Sequence, residues 1–183
     1  MKRLVICLAL LLAPPARAES IVIGLQAAPT SADPHFHQLT PNNVLARHVF
    51  GTLVRSDAKG GLHPELALSW TLQDDRSWRF ALDRAARFHD GTPFTALDVV
   101  FSLCRAMSGV GPTRSFTTVP KALEAVEVPD AHTIILRTGR PEPVLLSLLS
   151  SFSLISAPSA GVSAASFAPG ESCGLTALPQ PSE

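Results

Sequence analysis

No G-x-S-x-G, Walker loop, H-E-x-x-H or C-x-x-C occurs in the 183 residues, and tyrosine is missing altogether. Those gaps remove the commonest sequence-level grounds for a serine hydrolase, a nucleotide-triphosphate enzyme, a zinc protease or dithiol chemistry. The longest apolar run, Leu4 to Ala13, is too short to cross a bilayer. Formal net charge is +0, and the basic residues are scattered among carboxylates without forming a stripe. Nothing therefore points to a nucleic-acid partner. No internal repeat is found.

What is present starts with an export signal. Lys2 and Arg3 make a charged start, Leu4 to Ala13 the apolar run, and Ala16-Arg17-Ala18 a small-residue cleavage site, so residues 1–18 read as a secretory signal peptide cut after Ala18. Cleavage takes Lys2, Arg3 and Arg17 from the basic residues and no acidic one, which leaves a mature chain of about −3. Cys7 leaves with the signal and lacks the small-residue context of a lipidated cysteine. A soluble periplasmic product without a membrane span follows. Of the three cysteines, Cys104 and Cys173 remain. Export permits a disulfide between them, while an apolar stripe around Cys104 suits a small core residue; both readings stay open.

The most informative stretch is Phe88 to Leu103. Asp90-Gly91 supplies a tight turn, and Pro93 bars the segment from a central strand. Thr95 and Asp98 form the spacing of a capped helix start, with the hydroxyl expected on a first-turn N–H. Leu97, Val100, Phe101, Cys104 and Met107 then recur at helical spacing until Gly109 and Gly111.

Around it, Ile21 to Leu25 reads as a buried strand. Thr40-Pro41 opens a short helix with Thr40 as N-cap and with Val44, Leu45, His48 and Val49 inward. Leu53 to Arg55 with the Asp57 to Gly61 turn predicts a hairpin, and a strand enters at Trp70. Trp78, Phe80 and Leu82 alternate with Arg79, Ala81 and Asp83, the pattern of a sheet with one buried face. Val126 to Val128 and Thr133 to Leu136 flank the Pro129-Asp130 turn signal as a second strand pair, and Pro143 to Ser150 suits one short helix. From Ala157 onward Ala, Ser, Pro and Gly dominate without a period, which reads as a disordered tail.

The Phe88 to Leu103 segment, with Ile21-Val22-Ile23-Gly24, Asp33-Pro34-His35, Val49-Phe50-Gly51-Thr52-Leu53-Val54, Pro64-Glu65-Leu66-Ala67 and Ser69-Trp70 upstream, resembles the family-5 extracellular solute-binding proteins. These are the peptide- and nickel-binding components of bacterial ABC importers. The likeness covers about residues 20–155 and fades afterwards, where the family's glycine- and tyrosine-containing stretch is replaced by Gly174 to Pro179. It implies an α/β chain carrying part of a type II periplasmic-binding-protein fold. Residues 19–50 would start lobe I, 51–156 would form a small α/β subdomain, and 157–183 an atypical tail. Family members are much longer, with two lobes closing over a ligand, so the clamshell here would be incomplete and the chain truncated or shifted in reading frame. The implied partners are a small solute, a peptide first among them, and an inner-membrane ABC permease. Position in the family places solute contacts at Gln38, Leu39 and Thr40, with Phe116 as a second cleft wall. No cofactor is implied.

The candidate chemical groups have plain structural alternatives. His89-Asp90 beside Thr92 lacks a nucleophile and an oriented third partner, so it reads as a turn and not a catalytic dyad. His35-x-His37 lacks further metal ligands at telling spacing. Thr40 and Leu39 also suit a cap and a packed neighbour. No catalytic or metal residue is assigned. Two readings from other classes compete with the importer component: a secreted α+β module acting through protein contacts, and a nonfunctional remnant of a truncated gene.

Overall fold

The computed structural model describes residues 24, 27–36, 38–107, 118–157 and 176–177. In chain order the elements are α1 (Thr40–Val49), β1 (Val54–Ser56), β2 (Leu62–Pro64), β3 (Ala67–Leu72), β4 (Ser77–Leu82), α2 (Ala96–Met107), α3 (Thr118–Ala122), β5 (Leu123–Asp130), β6 (Thr133–Thr138), α4 (Leu145–Leu149) and β7 (Thr176–Ala177). β1 and β2 form a two-stranded hairpin, and the other strands form a sheet ordered β3-β4-β6-β5-β7. β4 and β5 run parallel with β6 inserted between them and α2 in the crossover, a split β-α-β arrangement.

The expected strand alternation holds. Phe80 and Leu82 are buried while Arg79 and Ala81 are exposed, and the register sets Phe80 against Ile134 and Leu136 against Val126. Val99 and Leu103 of α2, Leu145 and Leu149 of α4, and Leu53, Val54, Phe94 and Phe152 complete one apolar cluster on that face. At about 25 cal/mol per Å² of apolar surface, this shared burial is the main force holding the sheet and these helices together.

Turn chemistry explains the connections. Asp57 Oδ1 accepts from the Lys59 and Gly61 amides at 2.8 Å each, and Gly60 takes φ +80°, closing the first hairpin. Asp90 Oδ1 accepts from the Thr92 amide and hydroxyl at 2.9 and 2.7 Å, with Gly91 at φ +85°. The Phe88–Thr92 stretch is thus a self-bonded turn, and its aspartate is held below the usual carboxylate range chiefly by those Thr92 bonds.

Several expectations are corrected. Thr40 does not cap α1: the preceding residue is Leu39, extended at φ −95° and ψ 145°, with no side-chain cap bond, and Thr40 is itself helical. The signal was read one residue too far along, a common boundary slip when Pro41 fits either of the first two helical positions. The buried residues of α1 are Asn42 and Ala46, whereas His48 and Val49 are exposed and Val44 and Leu45 half-buried. Asn42 faces inward because its amide group exchanges bonds with Thr30, accepting from the Thr30 amide at 2.8 Å and donating to Oγ1 at 3.0 Å.

In α2 the deepest positions are Ala96, Val99, Ser102 and Leu103; Leu97, Phe101 and Met107 are only half-buried. The Thr95 hydroxyl donates to Asp98 Oδ2 at 3.0 Å instead of accepting a first-turn amide. The carboxylate does the capping, taking the Thr95 amide at 2.8 Å. Cys104 is disulfide-bonded, its partner lying outside the described residues, as does the Ile21 to Leu25 strand apart from Gly24. Thr176–Ala177, expected within a disordered tail, pairs in parallel with Ala125 and Val126. Backbone groups on the open side of β5 make that strand, a cause that leaves no side-chain pattern to read.

Candidate functional site

The segment that leads to the expected contact loop is a tightly bonded corner. Asp33 accepts the His35 amide on Oδ1 at 2.9 Å, its carbonyl accepts the Phe36 amide at 3.2 Å, and its own amide donates to Ser31 Oγ at 3.0 Å. Pro34 and His35 are buried. The His35 ring stacks on Phe152 with centroids 5.1 Å apart, and Nε2 lies 2.9 Å from the Ser153 carbonyl. A carbonyl can only accept, so Nε2 carries the proton. Arg105 Nη1 then donates to the bare Nδ1 at 3.1 Å.

The same guanidinium grips Asp33 at two points, Nη1 to Oδ1 at 2.9 Å and Nη2 to Oδ2 at 2.6 Å. Arg105 is the main cause holding the Asp33 carboxyl below its ordinary value. Burial pushes His35 below its ordinary value, assisted by the Arg105 charge and opposed by the Ser153 carbonyl and Asp33. Both His35 ring nitrogens are thereby engaged, so the histidine of the His35-x-His37 pair that is described serves packing. His37 lies outside the described residues.

Gln38, Leu39 and Thr40 follow this corner and are all exposed. Gln38 borders a recess of about 70 Å³ shared with Asn43, Arg47 and Ser153, and an adjoining recess of about 160 Å³ is flanked by Arg47, Arg55 and Glu65. Leu39 and Thr40 border neither. Phe116 lies outside the described residues. A larger apolar hollow of about 370 Å³ opens between Val49, Leu66, Phe88, Phe94 and Leu154. His89 and Asp90 also line it, and the one hydroxyl among the lining residues, Ser156, donates to the Ala157 carbonyl at 3.2 Å. Among the described residues no three His, Cys, Asp or Glu side chains gather.

Sequence reasoning missed Arg105, Phe152 and Ser153. Arg105 lies 72 positions from Asp33 and Ser153 lies 118 from His35. No local pattern encodes such a meeting; the only hint was a lone cation within an otherwise apolar stretch of α2.

Residues 61–171 match the middle region of the bacterial extracellular solute-binding proteins, family 5. The chain belongs to that family. Its similarity to individual family-5 proteins extends further: it is 29% identical over 164 residues to the periplasmic murein peptide-binding protein MppA of Escherichia coli, covering 80% of this chain and 30% of that protein. It is 31% identical over 157 residues to the periplasmic oligopeptide-binding protein OppA of Haemophilus influenzae, covering 76% of this chain and 29% of that one. The crystal structure of that OppA in complex with the peptide RPPGFSPFR superposes with a TM-score of 0.64 at 29% identity, over 71% of this chain and 29% of the other. The fold is thus part of the type II periplasmic-binding-protein architecture, and the chain spans about 30% of the length of these family-5 relatives.

Proposed function

We propose that these residues form the leading part of a periplasmic component of an ABC importer that binds small solutes, peptides first among them, and delivers them to an inner-membrane permease. The observation that carries this reading is the family match, together with relatives whose names state peptide binding. Export through the segment before Glu19 belongs to the same proposal, as does a role without catalysis.

Gln38, Leu39 and Thr40 are proposed as a solute-contact loop, with Phe116 as a second wall. Their exposure beside a rigid corner supports this, because a contact loop must present polar and backbone groups without spending binding energy on its own ordering. Enclosure of a solute needs a facing lobe, since a one-sided surface neither desolvates an extended peptide nor satisfies both of its termini.

Calorimetric titration tests it. Residues 19–183 alone should give no saturable heat with di- to pentapeptides, whereas a form extended with the remaining sequence of a full-length relative should. In the extended form, replacing Gln38, Leu39 and Thr40 together by glycine should weaken binding by about tenfold or more. Tight binding by residues 19–183 alone would overturn the two-lobe reading. Unchanged affinity after the triple replacement would remove the contact loop.

A further inference from the structure

The Asp33, His35 and Arg105 cluster is not explained by solute contact. His35 is 1% exposed, yet every polar atom of its ring is bonded in a way that only the neutral ring permits. The carbonyl of Ser153 fixes the proton on Nε2. The Arg105 guanidinium, a donor with no acceptor, requires a lone pair on Nδ1. A proton added at Nδ1 would set an N–H against an N–H and one positive charge against another, 3.1 Å apart. The ring cannot escape by flipping in its own plane, because the flip keeps the stack on Phe152 but aims a carbon at the Ser153 carbonyl and another at Arg105.

We propose that this cluster is an acid-released clamp: neutral His35 fastens the 33–36 corner to α2 and to residues 152–153, and protonation at Nδ1 frees the corner while the sheet stays folded. The groups facing the ring bear this out. Asp33 lies on the same segment, and its charge is already taken by both guanidinium nitrogens. Arg105 comes from α2. Residues 152–153 contribute an aromatic ring and a carbonyl but no titratable group, and α1 brings a second cation, Arg47, to the recess bordered by Pro34 and Ser153. Arg105 opposes the imidazolium directly, and the one carboxylate that would favour it, Asp33, is already engaged by that same guanidinium. Among the described residues the sheet's core holds no such group; there Phe80, Ile134 and Leu136 are fully buried and apolar. Acid therefore acts on the corner before it acts on the strands. The clamp stands whether or not the following loop touches solute.

Nuclear magnetic resonance of the labelled chain tests this directly. At about pH 7.5 the His35 ring should show the Nε2-protonated neutral form, and the His35 and Phe36 amides should be protected from exchange. On lowering the pH to about 5, the protection of those two amides, corrected for intrinsic exchange, should fall by about tenfold or more while that of Phe80 and Ile134 holds. His35→Gln, which cannot take the proton, should flatten this pH dependence at whatever stability it retains. If that variant does not fold, the wild-type titration still decides. His35 titrating at or above an ordinary histidine value, or corner and strand amides losing protection together, would overturn the clamp.

Discussion

Asp33 and Arg105, 72 positions apart, are joined at two points by parallel bonds of 2.9 and 2.6 Å, and this pair fixes the segment before α1 to α2, the longest helix among the described residues. About three-quarters of each side chain is shielded from solvent, so the pair is less screened than a surface ion pair. Its geometry matters as much as its charge, because a planar fork meets a planar carboxylate.

Arg105→Lys keeps the charge and loses the fork. It should cost about 1 kcal/mol, and Asp33→Asn about 1–2 kcal/mol, measured by urea unfolding. The double variant should cost clearly less than the sum of the two. Strict additivity would show that the pair is not energetically coupled.

Acid should destabilise the fold in two stages. His35 has a folded value below its ordinary 6.5, so in the window beneath 6.5 the unfolded chain binds a proton that the folded chain refuses, and stability falls as pH drops. Asp33 is depressed below 3.8; its contribution is present above 3.8 and is lost as pH falls through its lower folded value. Asp57 is pulled to about 2 chiefly by His63, below the range scanned, and its exposure makes the energetic effect small. Unfolding midpoints from pH 8 to 3 check the order, and His35→Gln should erase the first stage only.

Asp98 should matter more than the threonine beside it. Its carboxylate takes the Thr95 amide and hydroxyl and, on Oδ1, the Ala157 amide at 2.8 Å, so it ties the start of α2 to the segment after residue 154. Asp98→Ala strands two amides and should cost about 3 kcal/mol, against about 1 kcal/mol for Thr95→Ala. Equal losses in thermal unfolding would contradict the carboxylate's role.

Gly91→Ala should cost about 1–2 kcal/mol from backbone strain alone, since φ is +85° and an added Cβ would meet no atom within 4 Å. Calorimetry against Gly139→Ala, where φ is ordinary and space is also open, isolates the term.

The mature chain should begin at Glu19. Intact mass of material from the periplasm checks this, and a retained or lipid-modified amino terminus would overturn both the cleavage site and the soluble assignment.

How much was legible can be seen residue by residue. Alternation at Trp78 to Leu82, turn chemistry at Asp57 to Gly61 and at Asp90-Gly91, and the Thr95/Asp98 spacing are local signals, each set by interactions within a few residues, and each predicted its element. The family's order of segments was equally visible, because it is a property of the chain itself. The loop at Gln38 to Thr40 was chosen by position only, and its residue types carry no chemical signature.

The sequence by itself determined the strands, hairpins and long helix, since period and turn chemistry act over short separations. Only the tertiary structure decided that Arg105 meets Asp33, that His35 is a neutral core residue on the Ser153 carbonyl, that Asn42 and not Val49 faces inward, and that Thr176–Ala177 joins β5. These depend on which distant polar groups arrive together once apolar surface is buried. Burial drives collapse without direction, and hydrogen-bond satisfaction then selects the partners.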